Sequence, residues 1–316
     1  MQKKPKRQKR LNAFLSKKQV DRLGESFAVK GFNNLLKSVG EAPAIIDSAK
    51  TKKSKERLQA YYGSKGYFNN KASYTVVPNK RKKRAEIEYN VTLGKPYLID
   101  SLTTNILSSD IDSLYRLNVD NSFVKEKEQF NVNNFTKERQ RLTKNFRNSG
   151  IYNFQESAIS FRILRDTTST GNDQNLDVQM EIENFLSSNS DSTSTTQEYK
   201  VHRFEKINIY ADYLFNENKD SLKSIEHEGY TIFFKDKLRY KPDALTDAIF
   251  FEKGNVYRDI DRTRTQGQIT NLNTFKYPNI DFQQDTIQSQ LITNIYLAAR
   301  SRYLSLIHIS EPTRPY

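Results

Sequence analysis

Few residues in this chain could carry polar chemistry, and they are scattered. Its 316 residues include three histidines, His202, His227 and His308, and no cysteine. Disulfides, thiolate nucleophiles and Cys-ligated zinc are therefore excluded. The histidines share no metal-ligand or general-base spacing, and each reads as a surface or turn residue. No glycine-rich phosphate loop, H-E-x-x-H or G-x-S-x-G sequence occurs. Glu86 and Glu88 alternate with apolar residues, so they read as the wet face of a strand and not as an acid–base pair. No catalytic residue, metal site or cofactor is expected.

Charge is the other chemistry available. The net charge is +14, and all of the surplus lies in the first 100 residues, which hold 24 Lys and Arg against 8 Asp and Glu. Two runs supply much of it, "KKPKRQKR" (3–10) and "KRKKR" (80–84). Such runs grip nucleic acid or an anionic membrane by counterion release, and they equally suit a solvated tail and hairpin tip. A nucleic-acid-binding protein using the basic N-terminal third is thus the alternative reading of function. Against it, the charge does not recur along the chain and the aromatics are not interleaved with Lys and Arg, so nucleic acid is not an expected partner. No window approaches the 18 apolar residues of a membrane helix, and the basic start lacks the apolar run of a signal peptide.

Two stretches show what organises the chain. "AYYGSKGYFNNKASYTVV" (60–77) and "KNFRNSGIYNFQESAISFRI" (144–163) both run from an aromatic-bearing helix through a glycine into a strand. Gly66 and Gly150 are expected at C′ in the left-handed conformation. Tyr67 and Ile151 then fall at C″, over Tyr62 and Phe146 at C3, the contact of a Schellman motif. Asp47 or Ser48 caps the first of these helices, and Leu58, Tyr61 and Tyr62 form its apolar face. Behind the glycines come hairpins: Ala72, Tyr74 and Val76 pair with Ala85, Ile87, Tyr89 and Val91, and Ile159, Phe161 and Ile163 with Leu176, Val178, Met180 and Ile182.

"PYLIDSLTTNI" opens the second unit as a strand, and "SSDIDSLYRL" follows as a helix with a Ser/Asp cap, giving the order strand, helix, helix, strand, strand. The plan returns a third time. "HRFEKINIYADYLF" and "YTIFFK" read as strands, Pro242 opens a helix, and "EKGNVY" turns at Gly254 with Tyr257. A helix over 261–275 carries Ile269, Leu272 and Phe275, and "YPNIDF" and "SQLITNIYL" close the unit. The divisions read as 1–94, 95–186, a Ser/Thr-rich linker over 187–198, and 199–304. The first reads as truncated, with "VKGFNNLLKSVGEAP" as a helix but no strand before it, and residues 305–316 read as a non-native tail. The fold class is α+β: tandem β-α-α-β-β domains, each a three-stranded mixed sheet with two helices on one face.

This pattern resembles the POTRA domains of outer-membrane protein assembly factors, the BamA and TamA family, and most closely its TamA-like lipoprotein branch. The likeness rests on "LQAYYGSKGYFNNKASYTVV", "AEIEYNVTLGKPYLIDSL", "LTKNFRNSGIYNFQESAISF" and "AIFFEKGNVYRDIDRTRTQGQITNLNTFKYPNIDF". It implies a periplasmic fragment of a protein anchored in the outer membrane, leading into a C-terminal membrane β-barrel. The implied partners are unfolded outer-membrane protein clients, accessory assembly subunits and that barrel.

A three-stranded sheet leaves edges with unpaired backbone groups, to which an extended client can add as a further strand. The expected edges are the first strands of the hairpins. They comprise Ala72, Ser73, Tyr74, Thr75, Val76 and Val77, and Ala158, Ile159, Ser160, Phe161, Arg162 and Ile163. Backbone groups would carry the binding, and the inward side chains Tyr74, Val76, Ile159 and Phe161 fill the core.

Overall fold

The computed structural model describes residues 18, 45–79, 84–165, 174–188, 194–213, 221–276, 278–285 and 289–300. The leader run, most of the second basic run, the helix expected near residues 29–43, His308 and the tail lie outside them. The chain divides into two compact units, residues 1–58 with 72–90, and residues 59–71 with 91–316.

In the first unit, β1 (Lys71–Asn79) and β2 (Arg84–Thr92) form a two-stranded sheet. Along β2, half-buried Ala85, Ile87, Tyr89 and Val91 alternate with exposed Arg84, Glu86, Glu88 and Asn90. β1 keeps this alternation through Tyr74 and loses it at Val76 and Val77, which are 44% and 46% exposed. Helix α1 (Ser48–Ser64) starts where expected, because Asp47 Oδ1 accepts the Ala49 N–H at 2.8 Å and satisfies an orphan donor of the first turn. Tyr61, expected on its apolar face, is exposed. It stands one residue, about 100° of arc, from Tyr62, whose carbonyl joins the terminal turn.

The second unit holds two larger sheets. The three-stranded sheet has the order β3 (Leu98–Ile106), β5 (Asn175–Ile182), β4 (Ile159–Arg165), with β3 parallel and β4 antiparallel to β5. Helices α2 (Ser109–Arg116) and α3 (Val132–Asn148) lie in sequence between β3 and β4. This is the expected order, and a parallel pair requires such a crossover. Leu176, Val178, Met180 and Ile182 are all buried, and α3 adds Phe135, Leu142 and Phe146. On β4, Ile159 is buried and Phe161 packs on Phe135, whereas Ile163 is 41% exposed, so the core ends short of it.

The Ser/Thr-rich stretch, expected as an open linker, contributes to a hairpin of β6 (Phe185–Ser188) and β7 (Ser194–Gln197). Thr and Ser tolerate an extended ladder as readily as a loop, and cross-strand pairing decides between them.

The last sheet has five strands where three were expected, in the order β11 (Asn279–Asp285), β12 (Gln290–Leu297), β8 (Arg203–Ala211), β10 (Tyr230–Phe234), β9 (Lys223–His227). β10 is the expected strand "YTIFFK"; the strand not read from the sequence is β9, joined to it by a turn at Glu228 and Gly229, both at positive φ as a tight two-residue turn requires. Because β10 pairs parallel to β8, the first strand of this unit is internal rather than at an edge. Pro242 sits at the start of α4 (Pro242–Thr246), and α5 spans Asp259–Asn271. Ile269 is buried as expected, but Leu272 is exposed, and Phe275 is buried beyond the helix end.

Candidate functional site: sheet rims and the turns that set them

Both glycine turns form as the sequence predicts. Gly66 has φ +90° and Gly150 +107°, conformations in which a side chain is strained. The Tyr67 N–H reaches the Tyr62 carbonyl at 3.0 Å and the Gly66 N–H the Gly63 carbonyl at 3.0 Å, the two bonds of a Schellman motif. In the second copy the Ile151 N–H donates to the Phe146 carbonyl at 3.0 Å.

What these turns then do depends on partners distant in the chain. The Gly66 carbonyl accepts the N–H of Tyr97, just before β3, at 2.9 Å, and the Gly150 carbonyl accepts that of His202, just before β8, at 3.0 Å. The Tyr97 carbonyl accepts from Phe130 at 2.9 Å, and the His202 carbonyl from Tyr257 at 3.0 Å. Phe68, two residues after the first glycine, packs on Tyr97 and Phe130 with ring centroids 4.9 and 5.2 Å away. Tyr152, two residues after the second, packs on His202 and Tyr257 at 5.2 and 5.9 Å. The same three-ring junction is thus built twice, each time fastening a helix-ending turn to the start of a following strand. Gly254, with φ +85°, starts the loop that delivers Tyr257 to the second junction.

β4 is the open rim of the three-stranded sheet. The Glu183 N–H bonds the Ala158 carbonyl at 3.1 Å, placing Ala158, in the turn just before β4, in the ladder with β5. Antiparallel alternation then turns the backbone of Ser160 and Arg162 toward β5 as well, and that of Ile159, Phe161 and Ile163 outward. Half of the named stretch is therefore already paired. The Ile159 N–H is already taken by the Glu156 carbonyl, and among the described residues no backbone partner meets the outward groups of Phe161 and Ile163. The opposite rim, β3, is partly closed: Ile99 exchanges backbone bonds with Lys127 and Glu128, and Glu126 Oε1 accepts the Leu102 N–H at 3.1 Å. In the first unit β1, which carries Ala72, Ser73, Tyr74, Thr75, Val76 and Val77, pairs with β2 alone among the described strands.

Two buried polar groups escaped sequence reasoning. Glu138 on α3 is 1% exposed, paired with Arg141 and accepting the Phe123 N–H at 2.9 Å. His202, expected at the surface, is 1% exposed, and neither ring nitrogen has a hydrogen-bond partner among the described residues. Burial lowers its pKa, outweighing the Gly150 and Lys200 backbone groups and Asp110, which favour the charged ring. Burial pushes the Tyr257 phenol far up, and the carboxylate of Asp259, 3.0 Å from its hydroxyl, adds to the shift. Among the described residues no group of three or more His, Asp or Glu side chains could hold a metal ion, and no helix is long and apolar enough to cross a membrane.

Residues 24–94 match the family model POTRA, described as surface antigen variable number repeat. That span includes α1, the first glycine turn and the β1–β2 hairpin. No curated protein sequence matches the chain. Similar solved structures include POTRA3-5 of BamA from Haemophilus influenzae, at 10% identity over 82% of this chain and 84% of that one, with a TM-score of 0.37. POTRA1-3 of the periplasmic domain of Omp85 from Anabaena is 12% identical over 80% of this chain and 82% of that one, with a TM-score of 0.26.

Proposed function

We propose that the chain is a non-catalytic, periplasmic region of tandem POTRA repeats, serving an outer-membrane protein assembly or translocation machine. It binds extended client segments by adding them to the open rim of β4, and to β1 in the same manner. The partners on this reading are unfolded outer-membrane protein clients, accessory assembly subunits and the chain's own C-terminal membrane β-barrel. The POTRA match over residues 24–94 supports the family reading. The observation that carries the binding mode is the outward pair of backbone groups at Phe161 and Ile163. Backbone bonds make few demands on client sequence, as a module handling many unfolded chains requires.

Proline separates the outward groups from the inward ones. Ile163→Pro removes an outward donor at an exposed position, while Ser160→Pro removes a donor facing β5. The assay is fluorescence anisotropy of a labelled, unfolded barrel-strand peptide against the full chain. Ile163→Pro should weaken capture about tenfold, from one lost backbone bond of about 1 kcal/mol plus obstruction by the ring, with the fold intact. Ser160→Pro should instead lower stability. Capture by Ile163→Pro equal to that of the wild type would reject the β4 rim as the binding surface.

A further inference from the structure

The two three-ring junctions differ most at the ring that precedes the following strand. At the position preceding β3 the first has Tyr97, whose hydroxyl oxygen accepts from Asn69 Nδ2 at 3.3 Å. The second has His202, fully enclosed, with both ring nitrogens unpartnered among the described residues. Its backbone is tied on both sides, by its N–H to Gly150 and by its carbonyl to Tyr257. The ring lies edge-on to Tyr152, at an interplanar angle of 83°, and the nearby Gly150 and Lys200 backbone groups favour an added proton less than burial opposes it.

We propose that His202 is an acid-sensitive latch: its neutral ring keeps the turn after α3 docked on the start of β8, and its protonation releases that junction. The surrounding groups do not neutralise an imidazolium. Lys200, on the same lead into β8, repels it. Asp110 at the start of α2 attracts it, but its Oδ2 is already engaged by the Val201 N–H at 2.9 Å. From the loop before α5 comes Tyr257, whose hydroxyl already occupies Asp259, and from the turn comes Tyr152, near Asp281 of β11. The lowered pKa fixes the sign: the open form takes up the proton first. Closure is fully present above the ordinary imidazole value of about 6.5 and is lost as pH falls below it, with up to a tenfold change in the open-to-closed ratio for each unit of depression.

The absence of cysteine permits a clean test. Gln140→Cys on α3 and Gln266→Cys on α5, both exposed, carry spin labels in the full chain, and their distance distribution is measured by electron–electron resonance from about pH 7.5 to about pH 5. The wild type should gain a second, several-fold more populated distance component at the acid end. His202→Tyr, which copies the residue of the first junction, and His202→Phe should keep one component throughout, with circular dichroism reporting that each is folded. If either variant fails to fold, the imidazole proton resonances of the wild type decide: a ring that titrates in step with the new component supports the latch. A single distance at every pH in the wild type, or the same transition in a folded variant without the imidazole, overturns it.

Discussion

Alanine substitution at the junction glycines separates conformational strain from steric exclusion. Gly66, Gly150 and Gly254 all have positive φ, so alanine at each costs about 1–2 kcal/mol in backbone strain. Their surroundings differ. A Cβ on Gly66 would stand 2.7 Å from the Phe130 carbonyl oxygen, a backbone atom that cannot rotate away. A Cβ on Gly150 would meet Val201 Cγ1 at 2.6 Å and Val256 Cγ1 at 2.9 Å, both on stiff β-branched side chains. A Cβ on Gly254 meets nothing within 4 Å. Overpacking adds about 1–3 kcal/mol at the first two sites only. Gly254→Ala should therefore cost about 1–2 kcal/mol, and Gly66→Ala and Gly150→Ala about 2–5 kcal/mol each. Urea midpoints at unchanged m-value measure this. Adding Val201→Ala to Gly150→Ala removes one of the two clashing methyls and should recover part of the loss, a coupling absent when Val201→Ala is added to Gly254→Ala. Equal midpoints for Gly66→Ala, Gly150→Ala and Gly254→Ala would refute the claim that these glycines are docking points as well as helix terminators.

Other outcomes follow from buried polar groups. Arg141→Met strands the Glu138 carboxylate, whose side chain is 2% exposed, and should cost about 3–5 kcal/mol in urea unfolding, with Glu138→Gln restoring part of it. Ser108→Ala removes the hydroxyl that donates to Asn184 Oδ1 at 2.6 Å and accepts the Tyr199 N–H at 3.0 Å, so a loss of about 1–3 kcal/mol is expected. Burial and then Asp259 raise the Tyr257 pKa, so the unfolded chain loses that proton first. Stability should be full below about pH 10 and fall above it, and Tyr257→Phe should flatten that alkaline decline in urea midpoints measured against pH.

How much of this was legible in the sequence differs from element to element. Gly66 and Gly150 were readable because left-handed termination depends on one residue and its immediate neighbours, and the β5 alternation because period two is a property of eight consecutive side chains. Ile163 and Tyr61 fit their local patterns and are nonetheless exposed, since a pattern gives a face but not where its cover ends. "YTIFFK" was readable as a strand, but its partner β9, "KSIEH", has one apolar residue in five and shows no alternation that marks a strand without the Glu228-Gly229 turn.

Local sequence determined the helix ends, the alternating strands and the repetition of turn followed by strand, because each rests on steric preferences reaching only a few residues. Tertiary structure alone decided which rim stays open and where β8 sits in its sheet. It also decided that the carbonyls of Gly66 and Gly150 fasten Tyr97 and His202, and that an imidazole lies sealed among rings. The partners in those contacts are tens of residues apart in the chain, and folding, not spacing, sets whether a polar group there meets water, a partner or neither.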